Sequence, residues 1–509
     1  GFGIVYDRIN TSESVIIPSL GVGFSQTVTR RAPLCNSTSA GGANCNATAT
    51  APASIFRVGV DGTIPLPVVA PGVGVPIVPT QPFGESVSFQ IDPHFNVGEN
   101  YTFDLTVQRE LPGKMILEVG WLARLGRHLP TNVNFNSAPF FHVDSASGQT
   151  FAQAFDNVAR LLRAGALSSS VPAQAWFQNN MPGGTARVLT GNEANFINGN
   201  VSGIFQTIDM ARLNAGLKPF DNLQAQTSFV RTSIGRSNYH AAFATLRKRL
   251  SRQLTFDLNY TFSKSLDQSS SPENAMNMIA SAFFPDFDYG PSDFDRTHVF
   301  NGYFLYELPT NRGDRFRTGT FFDKLTEGWS VSGIFRAASG APLVVSQGTA
   351  ALGGGTMLAN LTGAIPLVDP GSLGTGVNTV VAGSNNVGTN GDPAVGGSGI
   401  NLFGNPETAF NSFRRILLSQ DGRSGRANPL RGFANWNLDL SLAKTARINE
   451  KLSARLSCDF FNFFNHNAFA NPALDLTNPR AFGVVTQATV PTRRESSSRW
   501  VQFGLRVEF

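Results

Sequence analysis

Between Gln253 and Ser263 the even positions hold Leu254, Phe256, Leu258, Tyr260 and Phe262, and the odd positions hold Gln253, Thr255, Asp257, Asn259, Thr261 and Ser263. Strict alternation over so long a run describes a strand with two chemically different faces and fits no helix. The pattern returns in Tyr101, Phe103, Leu105 and Val107, in Leu117, Val119, Trp121, Ala123 and Leu125, and in Trp436, Leu438, Leu440 and Leu442. It returns again in Leu452, Ala454, Leu456, Cys458 and Phe460, and in the last residues Val501, Phe503, Leu505, Val507 and Phe509. Runs of this length exceed the ~5–6 residues of an ordinary globular strand.

The connections alternate as well. Leu111-Pro112-Gly113, Ser251-Arg252 and Ile448-Asn449-Glu450 are short, whereas 9–98, 127–236, 266–295, 346–434 and 465–498 are long and irregular. Adding 1–8, 296–309, 328–345 and 499–509 gives ten strands, with every long stretch on one side of the sheet. The link Thr310–Glu327 is long for a turn, but parity puts it on the short side. Short turns on one side and long loops on the other are the habit of outer-membrane barrels, whereas compact soluble domains rarely carry structureless loops of such length.

Composition agrees. Charged residues make up 15% of the 509, against roughly 25% in soluble proteins, while hydrophobic residues reach 41% with 42 Phe. The most apolar stretch, Ile64–Pro79, is broken by five prolines, which excludes a spanning helix of ~20 residues. Backbone polar groups in lipid must be satisfied internally, so closed barrels remain. The low charge then follows from a lipid-facing side on each strand, with Trp121, Trp329, Trp436, Trp500, Tyr101, Tyr239, Tyr303 and Tyr306 as candidates for interfacial aromatic belts. A net charge of +5 is scattered in short knots such as Arg247-Lys248-Arg249, which argues against a nucleic-acid partner. The expected fold is an all-β transmembrane antiparallel barrel, with 1–509 forming part of one barrel domain.

The segments GFGIVYDR at Gly1, NYTFSKSLDQSS at Asn259, DYGPSDFDRTHVFNGYFLYELP at Asp288, GWSVSGIFRAASGAPL at Gly328, LSARLSCDFFNFFNHNAF at Leu452 and the terminal WVQFGLRVEF resemble, in this order, the C-terminal half of TonB-dependent receptors of the Oar-like group, common in acidobacteria. The resemblance implies a barrel of 22 strands of which these are the last ten. It also implies an upstream plug, TonB box and N-terminal domain that would lie before Gly1. Implied partners are outer-membrane lipid, TonB through the plug, an extracellular solute and the barrel-assembly machinery. The last of these would read the terminal signal Val501, Phe503, Leu505, Val507 and Phe509, although any terminal amphipathic strand has such a pattern.

Sites are sparse. His94, His128, His142, His240, His298 and His466 are isolated, no HExxH, CxxC or GxSxG spacing occurs, and Gly353-Gly354-Gly355 lacks the strand, helix and Lys of a phosphate cradle. No enzyme is expected. Asp286, Asp288, Asp293 and Asp295 form a candidate calcium site, since hard carboxylates in a Gly/Pro turn suit that ion; the competing reading is a polar loop with Asp295 paired to Arg296. No other cofactor is expected. Cys35 and Cys45 are a candidate disulfide closing a small extracellular loop, and Cys458 is read as a lipid-facing thiol.

Asp104, Glu118, Arg124, Asp257, Asp439, Arg455, Asp459 and Arg506 fall on the polar face, where they guide a ligand, contact the plug or form structural ion pairs. Loops 127–236 and 346–434 are the expected places of ligand selection, with Phe140, Phe141, Trp176 and Phe177 as apolar contacts or as packing at the barrel mouth. The expected function is TonB-dependent uptake of a scarce solute (siderophore, glycan or peptide). The alternatives are a non-transporting surface protein of the same architecture for adhesion or envelope organisation, and a soluble β-rich secreted protein or glycan binder.

Overall fold

The computed structural model describes residues 85–134, 139–220, 225–251, 253–270, 279, 281–308, 328–347, 363–379, 385–447, 452–488 and 498–509, with four short strands nearer the N-terminus. The chain divides into two compact units, Gly1–Val78 and Pro79–Phe509. In the first, Val15–Ile16 pairs with Thr27–Val28 and Pro33–Asn36 pairs with Asn44–Thr50, both antiparallel. The second ladder sets Cys35 opposite Cys45 along the backbone; their side chains, like the expected strand 1–8 and the link 310–327, lie outside the described residues.

The second unit is built on nine antiparallel strands, each hydrogen-bonded to its neighbours in chain order. They are β1 (Glu99–Leu111), β2 (Met115–Asn134), β3 (Ala225–Ser251), β4 (Leu254–Asp267), β5 (His298–Glu307), β6 (Trp329–Ala338), β7 (Asn435–Arg447), β8 (Ser453–Phe461) and β9 (Trp500–Glu508). Nine of the ten expected strands are therefore present in the expected order. The β1–β2 turn closes with positive φ at Gly113 (87°) and Lys114 (60°), and the β3–β4 turn with Gln253 at 63°. Such left-handed residues match the twist of a tight hairpin.

Register keeps one apolar face continuous across the sheet. Leu105 pairs with Trp121, Trp121 with Ala242, Ala242 with Phe262 and Phe262 with His298. Farther along, Gly333 pairs with Leu440, Leu440 with Phe460 and Phe460 with Val501. Cys458, a free thiol, lies on this face between Leu442 and Phe503. The opposite face is polar and knitted by its own side chains. Arg247 Nε donates to Asp257 at 2.9 Å, Asn259 to Asp257 at 2.7 Å, Thr245 to Asn259 at 2.8 Å and Asn437 to Asp439 at 2.9 Å, while Ser441 donates to Asp459. Several of the expected lumen residues thus serve structural ladders. Three expected belt aromatics also fall on this polar side: Tyr239 opposes Ser265, Tyr303 opposes Asp257 and Trp500 opposes Phe461. One residue of parity decides this, because side chains alternate between faces.

Two strands overrun the sheet. β2 has 20 residues and β3 has 27, and they stay paired from Leu129 to Asn134 beyond a bulge at Gly126–Leu129. At the bulge His128 takes a φ of 51°, and a Cβ on the facing Gly235 would stand 2.5 Å from the Leu129 carbonyl oxygen, so only glycine fits there. Strand Glu85–Ile91 adds itself in parallel to Ala225–Arg231 of β3.

The long loops are not the irregular stretches that their composition suggests. The β2–β3 loop folds into α1 (Phe151–Arg163), α2 (Ala175–Asn180), α3 (Gly184–Leu189), α4 (Glu193–Asn198) and α5 (Val201–Asn214). α1 starts in a capping box, with Thr150 Oγ1 accepting from Gln153 N and Gln153 Oε1 accepting from Thr150 N, and it buries Phe151, Ala154, Phe155, Val158, Ala159 and Leu162 at helical spacing. Those residues meet Trp176, Phe177, Phe196 and Phe205, which are at most 1% exposed, in a core that also takes Phe287 and Ile416 from two other loops. A second core joins Leu402, Phe403 and Leu430 of the β6–β7 loop to Leu474 and Phe482 of the β8–β9 loop.

Candidate ligand-binding site in the long loops

Where α1 begins, three long loops meet around a cavity of about 350 Å³. Phe140 and Phe141 from the β2–β3 loop, Phe284 and Phe287 from the β4–β5 loop and Leu418 from the β6–β7 loop form its apolar wall. Gln153, Ser419, Gln420 and Asp421 add polar groups. The rings interlock between loops: Phe140 lies 5.8 Å from Phe284, and Phe141 meets Phe283 edge-on at 4.7 Å. An apolar wall with a few convergent polar groups, in a volume of this size, is what small-molecule sites have in common.

The wall is held by buried carboxylates. Asp156 of α1 is 2% exposed and accepts from Leu418 N at 3.0 Å, Ser419 N at 2.8 Å and Ser419 Oγ at 2.6 Å, pinning the β6–β7 loop to the helix. Burial pushes the Asp156 carboxyl up from the usual range, and the hydrogen bonds from Ser419 and Leu418 oppose it. Arg414 grips Asp421 with both terminal nitrogens at 2.7 Å, and Asp421 also accepts from Leu417 N at 2.7 Å, which closes the turn bearing Leu418 to Gly422. Arg163, lowered to about 10 by burial and by Arg415, donates to the Ile197 carbonyl at the end of α4 at 3.0 Å. Away from the cavity, Asp144 gathers Ser147, Asn179 and Asn180, and these donors, Ser147 foremost, hold its carboxyl down at about 2.

A separate latch joins two of these loops. Arg426 of the β6–β7 loop enters the turn of the β4–β5 loop, donating to the Asp267 carbonyl at 2.8 Å, the Asp288 carbonyl at 2.7 Å, Asp267 Oδ1 at 2.5 Å and Ser270 Oγ at 2.8 Å. Gly290 allows the approach, since a Cβ there would lie 2.3 Å from the Arg426 carbonyl oxygen. Nearby, Arg431 donates to Asp295 Oδ2 at 2.7 Å, and Asp295 Oδ1 accepts from Ser265 N at 2.7 Å.

These contacts separate the four carboxylates singled out as a calcium site. Asp286 pairs with Arg236 at 2.7 Å, Asp295 with Arg431 rather than Arg296, and Asp293 is exposed with Arg426 at 3.7 Å. Asp288 is buried with Oδ1 unpartnered beside Ser424 and Arg426. Among the described residues no three His, Cys, Asp or Glu side chains come together as metal ligands. Arginines face three of these four carboxylates. Burial raises the Asp288 carboxyl, against Ser424 and Arg426. Its proton is held more tightly folded than unfolded, so this group's contribution favours the fold at low pH and weakens as pH rises through the raised value.

Of the four aromatics expected at the loops, Phe140 and Phe141 line the cavity, whereas Trp176 and Phe177 are sealed in the core behind it. Asp156, Arg426 and Leu418 had no signal of their own. The helix that carries Asp156 did have one, in Thr150 and Gln153 ahead of apolar residues at a period of 3.6.

A sheet with one continuous apolar face, tight β1–β2 and β3–β4 turns at one end and large folded loops at the other defines an integral outer-membrane β-barrel protein. The chain belongs to the outer membrane beta barrel domain family, whose family model matches residues 1–502. It resides in the bacterial outer membrane. Among solved structures it is similar to the ferric-catecholate import receptor Fiu of Escherichia coli, with 8% identity, a TM-score of 0.30, and coverage of 81% of this chain and 28% of that one. The outer membrane transporter YddB of Escherichia coli gives 8%, 0.34, 81% and 33%. The pyoverdine outer membrane receptor FpvA of Pseudomonas aeruginosa gives 10%, 0.30, 81% and 29%. The chain thus spans about a third of the length of these structures or less. No curated protein matches the sequence.

Proposed function

We propose that this chain is the C-terminal barrel portion of a TonB-dependent outer-membrane receptor, which captures a scarce solute in its extracellular loops for import. The observation that carries the reading is the cavity of about 350 Å³ built jointly by three loops, with Phe140, Phe141, Phe284 and Phe287 on one wall. A surface protein serving adhesion alone has no need of a solute-sized recess shared by three loops. The bound molecule has an apolar or aromatic portion for the phenylalanine wall and hydrogen-bonding groups for Gln153, Gln420 and Asp421.

Candidate solutes are screened by thermal shift on the full-length protein, and hits are tested for energised uptake by cells. Phe141→Ala with Phe284→Ala is expected to weaken binding about 10–100-fold, as loss of buried aromatic area requires, and to reduce uptake at unchanged surface display. Uptake that persists without TonB, or binding indifferent to both substitutions, would overturn the reading.

The assembly signal is placed on Val501, Phe503, Leu505, Val507 and Phe509, in support of which the first four share the outward face of β9, opposite Phe460, Cys458, Leu456 and Ala454. Deleting Phe509 in the full-length protein is expected to reduce outer-membrane insertion. An undiminished heat-modifiable barrel in the membrane fraction would count against the assignment.

A further inference from the structure

On the outward face of the nine strands the described residues hold one carboxylate, Glu99, against the cations Arg109, Arg127, Arg236, Lys248, Lys264 and Lys444, of which Arg236 is paired with Asp286 of the β4–β5 loop at 2.7 Å. Glu99 is engaged, opposite Arg127 in the ladder and accepting from the Tyr101 hydroxyl at 2.6 Å. The cations lie at the two ends of the apolar band. From His240, at the loop-side edge of the apolar band on β3, to Lys248 near its turn end is eight residues. At ~3.4 Å per residue and ~40° of tilt this gives about 20 Å along the bilayer normal, close to the height of an outer-membrane apolar belt.

On the loop side of the band three of these groups lie on neighbouring strands. His240 of β3 is the register partner of Lys264 of β4, and Phe262, two residues from Lys264, is the partner of His298 of β5. All three polar side chains are exposed. Aromatic rings flank them: Trp121 stacks with His240 at 6.0 Å, and Phe262 lies 5.3 Å from His298. Tyr260 Oη holds His298 Nδ1 at 2.8 Å, which leaves Nε2 as the remaining hydrogen-bonding edge of that ring.

We propose that His240, Lys264 and His298 form a site for the phosphate of a phosphorylated glycolipid headgroup in the outer leaflet. The ammonium supplies charge and the two imidazoles supply hydrogen bonds. Trp121, Tyr260 and Phe262 pack against the sugar and the upper acyl chains, as aromatics do at membrane interfaces. Among the described residues the opposite rim shows no such cluster: Lys444 lies over the Trp329 ring at 5.1 Å, and Lys248 opposes Met115 and Phe256. A cation exposed on a lipid-facing wall is stable where a headgroup phosphate meets it, and the outer leaflet of this membrane is built of phosphorylated glycolipid.

The test is native mass spectrometry of the full-length protein in detergent, titrated with bisphosphorylated lipid A, dephosphorylated lipid A and inorganic phosphate. The phosphorylated lipid is expected to bind at least about tenfold more tightly than the dephosphorylated one, a comparison that needs no variant. His240→Ala with Lys264→Ala and His298→Ala is expected to remove that preference while heat-modifiable mobility persists, and Lys248→Ala is expected to keep it. Equal binding of both lipids, displacement by inorganic phosphate at matched concentration, or an unchanged preference in the folded triple variant would overturn the proposal.

Discussion

Arg426→Met uncouples the β4–β5 and β6–β7 loops. The substitution keeps most of the side-chain volume but leaves the Asp267 carboxylate, whose side chain is 9% exposed, without the guanidinium that neutralises it. It also strands the Asp288 carbonyl, to which the guanidinium donates. Removing one partner of a buried ion pair costs about 3–5 kcal/mol, because the remaining charge keeps its desolvation penalty. Hydrogen exchange over 281–295 and 418–431 is expected to rise by orders of magnitude while β3 and β4 stay protected. Arg426→Lys is expected to behave similarly, since an ammonium cannot reproduce a fork reaching Asp267, Asp288 and Ser270 together. Wild-type protection in either variant would show that the latch does not hold the loops. Adding Asp267→Asn to Arg426→Met is expected to recover part of the loss.

Trp176→Ala is expected to unfold the helical module without unfolding the barrel. The indole is fully buried, packs on Phe151 at 5.1 Å and on Phe177 and Phe220 at 5.6 Å, and donates from Nε1 to the His142 carbonyl at 3.0 Å. Truncating such a residue costs about 3–5 kcal/mol through lost transfer energy and the cavity left behind. The module is inserted between β2 and β3, and its core is shared with neighbouring loops through Phe287 and Ile416 rather than with the sheet strands, so the damage stays within the loops. Limited proteolysis is expected to cut within 139–220 while the sheet keeps its heat-modifiable mobility. Unchanged protease resistance of that segment, or loss of the barrel as well, would contradict this division.

Much of the sheet was legible because a membrane strand obeys two constraints at once, an apolar face for lipid and a polar one for the interior. Alternation in 253–263 therefore gave β4 its faces, and Leu111-Pro112-Gly113 gave the β1–β2 turn within a residue or two. The loops escaped because their order is not periodic over long runs. A helix of six residues such as α2 or α4 has too little pattern to stand out, and it is stable only because Trp176 and Phe196 find a shared core. The aromatic belt was misread at Tyr239, Tyr303 and Trp500 because residue type alone does not fix parity at strand ends. The calcium expectation rested on four nearby aspartates; the arginines that face three of them, Arg236, Arg426 and Arg431, come from segments far away in sequence.

By itself, then, the sequence determined an antiparallel lipid-facing sheet, its strand order and the end from which the loops rise. Those follow from local hydrophobic period and connection length, which each strand carries within its own residues. Only the tertiary structure decided that the loops fold, that three of them line one cavity, that Asp156 ties two of these loops and Arg426 latches the β4–β5 loop to the β6–β7 loop, and that His240, Lys264 and His298 stand on neighbouring strands of the outer wall. Each of those arrangements is a meeting of distant segments, set by packing and by the pairing of buried charges, and no single stretch of sequence contains it.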